Sequence, residues 1–407
     1  MSEVKRGPLD GVRVIDMSTV LLGPYAGQIL GDLGADVIRV ESPKADMTRW
    51  AGPSPHPGFS PIFMNCNRNK RSLCLDLKKE GALDALVEVV RTADVFLHNV
   101  RLEAIERLGL GYEAVRAIKP DIVYVHCVGF GSDGAFAGRP AYDDLVQAAS
   151  SAVSLNRLMD PDEEPRYIAT LAADKTTGLH AAYATMAALF HRERTGEGQF
   201  VEVPMLESFA SFLMIEHMNG HTWEPPLGDY GYHRIINLNR KPYRTKDGHI
   251  CIMPYSTDQW RQALRLGGIP ITDDDPRLQT MGGLARHFRE LYGLLAEVTC
   301  TRTSEEWMTL LTAEDIPVMR VNRVEDLKTE EHLTSVDFFE QRLHPTEGAW
   351  RSMRQPVKFS ETPASVRRDP PGLGEHNREV LLEAGLGGEA ISALEAGGAL
   401  HSLVPKG

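Results

Sequence analysis

GVRVIDMSTVLLGPYAGQILGDLGADVIRVE, residues 11–41, reads as strand, helix, strand. GVRVIDM (11–17) is a short apolar run of the kind that forms a buried strand. Gly23 and Pro24 open a helix that Gly34 closes, with proline in the first turn, where its missing N–H is no loss, and glycine past the end. ADVIRVE (35–41) is a second strand. A strand–helix–strand unit of this kind predicts a parallel sheet with helices on its faces.

The rhythm continues outward. RSLCLDL (71–77) reads as a third strand and GALDALVEVVRTAD (81–94) as a helix. VFLHN (95–99) and DIVYVHCVGF (121–130) are strands with a helical segment at 101–117 between them, and QFVEVPM (199–205) is the last strand of the series. From about 222 to 245 the chain is rich in Gly, Pro, Tyr and Asn without periodicity, which predicts a loop and domain boundary. Beyond it GHICIMP (248–254) is a strand, 256–311 is mostly helical, and PVMRVNRVE (317–325) is strand again. A proline-rich link at 363–371 leads to a helix near 375–385. A length of 407 residues fits two or three domains.

Charge and cysteine usage narrow the function classes. A net charge of −12 argues against nucleic acid or an anionic membrane as the main partner. The five cysteines, Cys66, Cys74, Cys127, Cys251 and Cys300, form no C-x-x-C pair, so free thiols in a reducing cytoplasm are expected. The first residues carry no apolar run and no stretch reaches the roughly 18 apolar residues of a membrane span, so a cytoplasmic location is the expectation.

Several motifs fail on spacing. GFGSDG (129–134) matches G-x-G-x-x-G after a strand, but Gly138, Arg139 and Pro140 follow where a helix must open to receive a pyrophosphate. His217 and His221 stand four apart, yet Glu216 precedes the first histidine instead of following it, so a zinc-protease helix is not predicted. Asp273, Asp274 and Asp275 read as a solvated turn. No metal site is expected.

In LAADKTTGLHAAYATMAALFHR (171–192), apolar residues at Leu179, Ala182, Tyr183, Met186, Leu189 and Phe190 predict a helix with one apolar face. Asp174 sits near its start. One reading is a helix cap, whose carboxylate accepts orphan backbone N–H groups. The other is a nucleophile: the same N–H groups and the helix dipole would keep the carboxylate ionised and oriented, ready to attack an activated acyl group. Residue chemistry leaves both open.

The order of blocks resembles the family III CoA-transferases of CaiB/BaiF type, over nearly the whole chain. The segments that carry the resemblance are PLDGVRVIDMSTVLLGPYAGQILGDLGADVIRVESP (8–43), NRNKRSLCLDLK (67–78), HNVRLEAIERLGLGYEAV (98–115), RPAYDDLVQAASS (139–151), ADKTTGLHAAYATMAALFHRERTGEGQFVEVPM (173–205) and GEHNREVL (374–381). Six blocks in one order are specific. The resemblance implies an α/β fold: a large Rossmann-like parallel-sheet domain from both chain ends (1–222 and 331–407), a smaller α+β domain (223–330), and an interlocked homodimer. It implies Asp174 as the nucleophile, an aspartyl-CoA intermediate, coenzyme A or acyl-CoA as substrate with no permanently bound cofactor, and a small or medium carboxylic acid as acceptor. Matching positions suggest Val20, Leu75, Asn99 and Arg107 as CoA contacts. Arg39 and Arg71 are added as guanidinium partners for its phosphates.

Departures refine this expectation. Formate-linked members carry glutamine at the place of Leu21, lysines at the places of Val128 and Pro140, and a glycine-rich loop with no counterpart in 222–245. A larger, more apolar acid than formate or oxalate is therefore expected. The same fold hosts α-methylacyl-CoA racemases, which use a histidine directly before an aspartate. Here that place holds Tyr142 before Asp143, and a phenol is a poor base at neutral pH, which favours transfer over racemisation.

Overall fold

The computed structural model describes residues 7–403, and its chain forms two compact units. Of the described residues, one takes 7–151, Tyr167–Phe212 and 332–403. The other takes Ala152–Arg166 and Leu213–Glu331. The stretch 152–166, read from sequence as part of the first domain, thus goes with the second unit.

The first unit is built on a six-stranded sheet of β1 (Arg13–Met17), β2 (Asp36–Glu41), β3 (Lys70–Cys74), β4 (Val95–His98), β5 (Val123–Val128) and β6 (Gln199–Pro204). Its order is β3-β2-β1-β4-β5-β6 and every pairing is parallel. Helices α1 (Leu22–Asp32), α2 (Pro61–Cys66), α3 (Ala82–Arg91), α4 (Leu102–Arg107), α5 (Tyr112–Ile118), α6 (Asp143–Ala149) and α7 (Ala172–Thr195) fall between the strands. On one face, Ile15, Ile38, Leu73, Phe96 and Tyr124 pack on Leu86, Val89 and Val90 of α3 and on Val380, Leu381 and Ile391 of the C-terminal return. On the other face α7 packs against α1, β5 and β6. The strand order reverses between β1 and β4, and the crevice outside their carboxyl ends is where open α/β sheets bind ligands.

Strand β3 lies at one margin of this sheet, and its outer backbone groups are taken by the C-terminal return. Ser72 O accepts from His376 N–H at 3.0 Å, Cys74 N–H donates to Asn377 Oδ1 at 2.7 Å, and Cys74 O accepts from His401 N–H at 3.3 Å. Asp76 N–H continues the series to Ala399 O at 2.8 Å.

The second unit has a three-stranded antiparallel sheet, β7 (Tyr243–Arg244), β8 (His249–Ile252) and β9 (Val318–Arg320). The helices Thr257–Leu266, Met281–Thr299 and Ser304–Thr312 close a core around Trp260, Tyr292 and Trp307. Back in the first unit, β10 (Phe339–His344) and β11 (Gly348–Met353) form an antiparallel hairpin. Among the described residues no helix is long and apolar enough to cross a membrane.

Candidate active site

The turn after β1 lies at the switch point and is held from two sides. Asn99, just past β4, closes its side-chain amide on Thr19: Oδ1 accepts the Thr19 N–H at 2.9 Å and Nδ2 donates to the Thr19 carbonyl at 2.9 Å. Val20, the next residue, has a φ of +67°, a left-handed conformation that is strained for a β-branched side chain. Its N–H donates to Asp46 Oδ2 at 2.9 Å. Asp46 in turn accepts from Arg39 Nη2 at 2.6 Å and caps the short turn Met47–Trp50 through Thr48 N–H. The structure therefore brings Val20 and Asn99 to one place.

Arg39 reaches this place only through Asp46. Its side chain is fully buried, with Glu41 at 3.4 Å and Asp16 at 3.9 Å as further ionic neighbours. Those carboxylates hold it charged against the cost of burial, and a phosphate could meet it only by displacing Asp46. Glu41 is likewise occupied: Arg49 grips it with two bonds of 2.9 and 2.7 Å, and the two arginines pull its pKa to about 2 against desolvation.

Arg71 is not brought to the switch point. It lies near the amino end of β3, where its guanidinium meets Asp36, Glu379 and Glu383 at 2.6–2.9 Å. Leu75, just past β3, is buried and bridges to Leu400. Arg107, the last residue of α4, is exposed and has no ion-pair partner among the described residues.

Asp174 is the third residue of α7, not its cap, which is Leu171. The helix comes close to α1 because residue 178 is glycine. A Cβ there would stand 2.8 Å from the Leu22 carbonyl and 3.0 Å from the Tyr25 ring. Asp174 lies one helical turn before Gly178 on the same buried face. Its carboxyl receives no hydrogen bond from a described residue. Its backbone N–H donates to Asp143 Oδ1 at 2.9 Å. Asp143 is itself held by Gln147 Nε2 at 2.6 Å, and Gln147 Oε1 accepts the Ile168 N–H at 2.8 Å.

Sequence alone predicts an ionised Asp174, and the surroundings correct this. A helix N-terminus stabilises an anion by about 0.3–1 kcal/mol, less than a tenfold change in acidity. Burial, followed by the charge of Asp143, raises the pKa of Asp174 to about 7. Desolvation wins, so the group is poised between acid and carboxylate near neutral pH, as a nucleophile or base at work there would be. The sequence marks Asp143 only as the neighbour of Tyr142; its bond to Asp174 is not legible there, because it depends on α6 and α7 being brought together by the fold.

The GFGSDG backbone is already used, Gly131 N–H by Glu207 and Ser132 N–H by Glu202, both at 2.9 Å, and it opens no helix. His221 stacks on Tyr230 with ring centres 3.7 Å apart. Asp273 pairs with Arg265 and Asp275 with Arg277. Among the described residues no group of His, Cys, Asp and Glu could hold a metal ion.

Residues 9–377 match the model of CoA-transferase family III. The chain is 32% identical to the succinate–glutarate CoA-transferase of Agrobacterium fabrum over 93% of this chain and 96% of that protein. It is 30% identical to the formyl-CoA:oxalate CoA-transferase of Streptomyces avermitilis, covering 96% and 99%. Among solved structures, a CAIB/BAIF family protein from Brucella suis superposes with a TM-score of 0.78 at 29% identity, covering 93% of this chain and all of that one.

Proposed function

The chain belongs to CoA-transferase family III and is an enzyme that transfers CoA, and we propose that it does so through covalent catalysis by Asp174. The observation that carries this reading is the poise of that residue: a buried carboxyl, free of hydrogen bonds from described residues, whose pKa lies at about 7 beside Asp143. In the proposed cycle the Asp174 carboxylate attacks the donor thioester, and CoA leaves as thiolate. The thiolate attacks the aspartyl carbonyl of the anhydride, expelling the donor acid and forming aspartyl-CoA. The acceptor carboxylate attacks that thioester and again releases CoA thiolate, which takes the acceptor acyl group from Asp174. Each step exchanges one activated acyl bond for another, so no ATP is consumed, and dividing the exchange is what a nucleophile contributes. Hydrolysis of the intermediates is avoided only where water is kept out.

The turn at Thr19–Val20 and Asn99 is the proposed contact for CoA, and Leu75 and Arg107 are proposed as further contacts. Arg39 takes a supporting part through Asp46. For the acceptor we propose an acid longer than oxalate. Leu21, the cap residue just before α1 and buried, makes this end of the helix apolar, and the succinate–glutarate relative is named for acids of that length. Oxalate or formate as the best acceptor in a panel would overturn this. A homodimer is supported by the exposed stripe of Leu179, Tyr183 and Phe190 on α7, each more than half exposed, which invites cover by a second copy. Light scattering at a monomer mass would exclude it.

The test of the central reading is chemical. The enzyme is incubated with acyl-CoA donors and quenched with hydroxylamine or borohydride, and peptide mass spectrometry locates the modified side chain. The expected site is Asp174, and Asp174→Ala is expected to lose transfer. Undiminished transfer in that variant defeats the proposal.

A further inference from the structure

Beneath Asn99 lie two buried histidines that neither the nucleophile nor the CoA contacts use. His98 ends β4 and His126 stands beside it on β5, with paired Cα positions and rings stacked 4.3 Å apart at 17°. Their ring nitrogens converge on the backbone of one residue, Val100. The Val100 N–H donates to His98 Nδ1 at 3.2 Å, and the Val100 carbonyl accepts from His126 Nε2 at 2.9 Å. Both backbone groups of the residue after Asn99 are thereby fixed by imidazoles. An imidazole that accepts at Nδ1 is neutral with its proton on Nε2. The His98 Nε2 is buried without a partner among the described residues.

A buried polar atom without a partner is costly, and a leucine would fill this place without it. What the histidine provides is the Nδ1 acceptor. The surroundings keep both rings uncharged: burial first, and then the neighbouring ring, holds His98 well below its ordinary pKa, and burial holds His126 down despite its bond to the Val100 carbonyl and the Glu202 carboxylate of β6. Tyr124 of β5 packs edge-on to His98, and Phe96 and Phe200 complete the aromatic surround.

We propose that His98 and His126 are positioning residues for the acyl-CoA site: by clamping both backbone groups of Val100 they aim the Asn99 amide at Thr19 and so hold the β1–α1 turn in its ligand-ready shape. The proposal rests on the reading of that turn as a CoA contact. Neither histidine touches the reacting atoms, so the effect belongs in acyl-CoA binding and not in turnover.

The experiment compares the KM for acyl-CoA with kcat in His98→Leu, His98→Asn and His126→Phe. An asparagine Oδ1 accepts the N–H two residues on, as in an Asx turn, and so replaces the lost acceptor. His126→Phe keeps the stacked ring and its volume but not the donor, which protects the fold. Expected are an acyl-CoA KM raised about tenfold in His98→Leu and His126→Phe with kcat within about twofold, and a KM close to the parent in His98→Asn. All three variants lose part of the buried pair, so a role in packing alone would not separate asparagine from leucine. Equal impairment of His98→Asn and His98→Leu, or an unchanged KM in His126→Phe, overturns the proposal. Asn99→Ala serves as the control. It is expected to raise the same KM, and an unchanged value there overturns the CoA reading of the turn itself.

Discussion

The backbone N–H of Asp174 donates to the Asp143 carboxylate at 2.9 Å, so the helix that presents one acid is anchored by another. The anchor also has an electrostatic effect, because its charge adds to burial in raising the Asp174 pKa to about 7. kcat/KM for acyl-CoA is therefore expected to rise with pH and to level off above about 7, as the attacking carboxylate forms. Asp143→Asn keeps an oxygen for the N–H and removes the charge, so the rising limb should move toward acid. It should stop short of the ordinary carboxylate range, because burial is the larger cause. Initial rates across pH 5–9, roughly, check both points.

The same displacement makes Asp174 a source of instability. Its folded pKa is raised, so the folded chain keeps a proton that the unfolded chain gives up, and stability falls as pH rises from the unfolded value toward about 7. Asp174→Asn should therefore stabilise the protein at alkaline pH, by an amount bounded at about 4 kcal/mol, and should have little effect near pH 4. Thermal unfolding at the two pH values measures the difference, and an equal Tm change at both would refute it.

Val20 is strained at φ +67° and held there by Asp46. Val20→Gly relieves a left-handed cost of about 1–2 kcal/mol while adding about 0.5–1 kcal/mol of chain entropy to the unfolded state. Stability should stay level or rise slightly. The acyl-CoA KM should rise several-fold, because the turn is no longer set before the ligand arrives. Asp46→Ala should raise the same KM and also lower Tm, since it leaves the buried Arg39 without its shortest ion pair.

Gly178→Ala places a methyl 2.8 Å from the Leu22 carbonyl, which is backbone and cannot swing aside. The helices must separate, at a cost of about 1–3 kcal/mol. Because Asp174 rides on the same face one turn earlier, its acylation should slow as well. Stopped-flow CoA release with a thiol reagent reports that step apart from turnover.

The parallel sheet was legible because its strands are apolar runs at regular spacing, and the place of Asn99 just past β4 came with the strand VFLHN. The α7 face was not. Apolar periodicity singles out Leu179, Tyr183 and Phe190, which are exposed, along with Ala182 and Leu189, which are buried, and it misses Gly178, Ala181, Thr185 and Ala188, which complete the packed face. Close helix approach selects small residues, which carry little hydrophobic signal. Arg39 and Arg71 looked alike as phosphate partners, because composition does not reveal which carboxylates a fold sets against an arginine. The β10–β11 hairpin escaped reading altogether: FEQRLH and GAWRSM (339–344 and 348–353) carry too many polar residues for a buried strand.

The return of the C-terminal segment onto β3 orders events during synthesis. The residues that occupy the outer groups of Ser72, Cys74 and Asp76 are made some 300 positions later, at 376–401. A nascent chain thus carries the switch-point crevice on a sheet with an open strand margin, a template for pairing with other chains, until residues 376–401 leave the ribosome. A chain cut between Asp174 and His376 would keep every residue of the switch point and Asp174 but leave that margin open, and it is expected to collect in inclusion bodies.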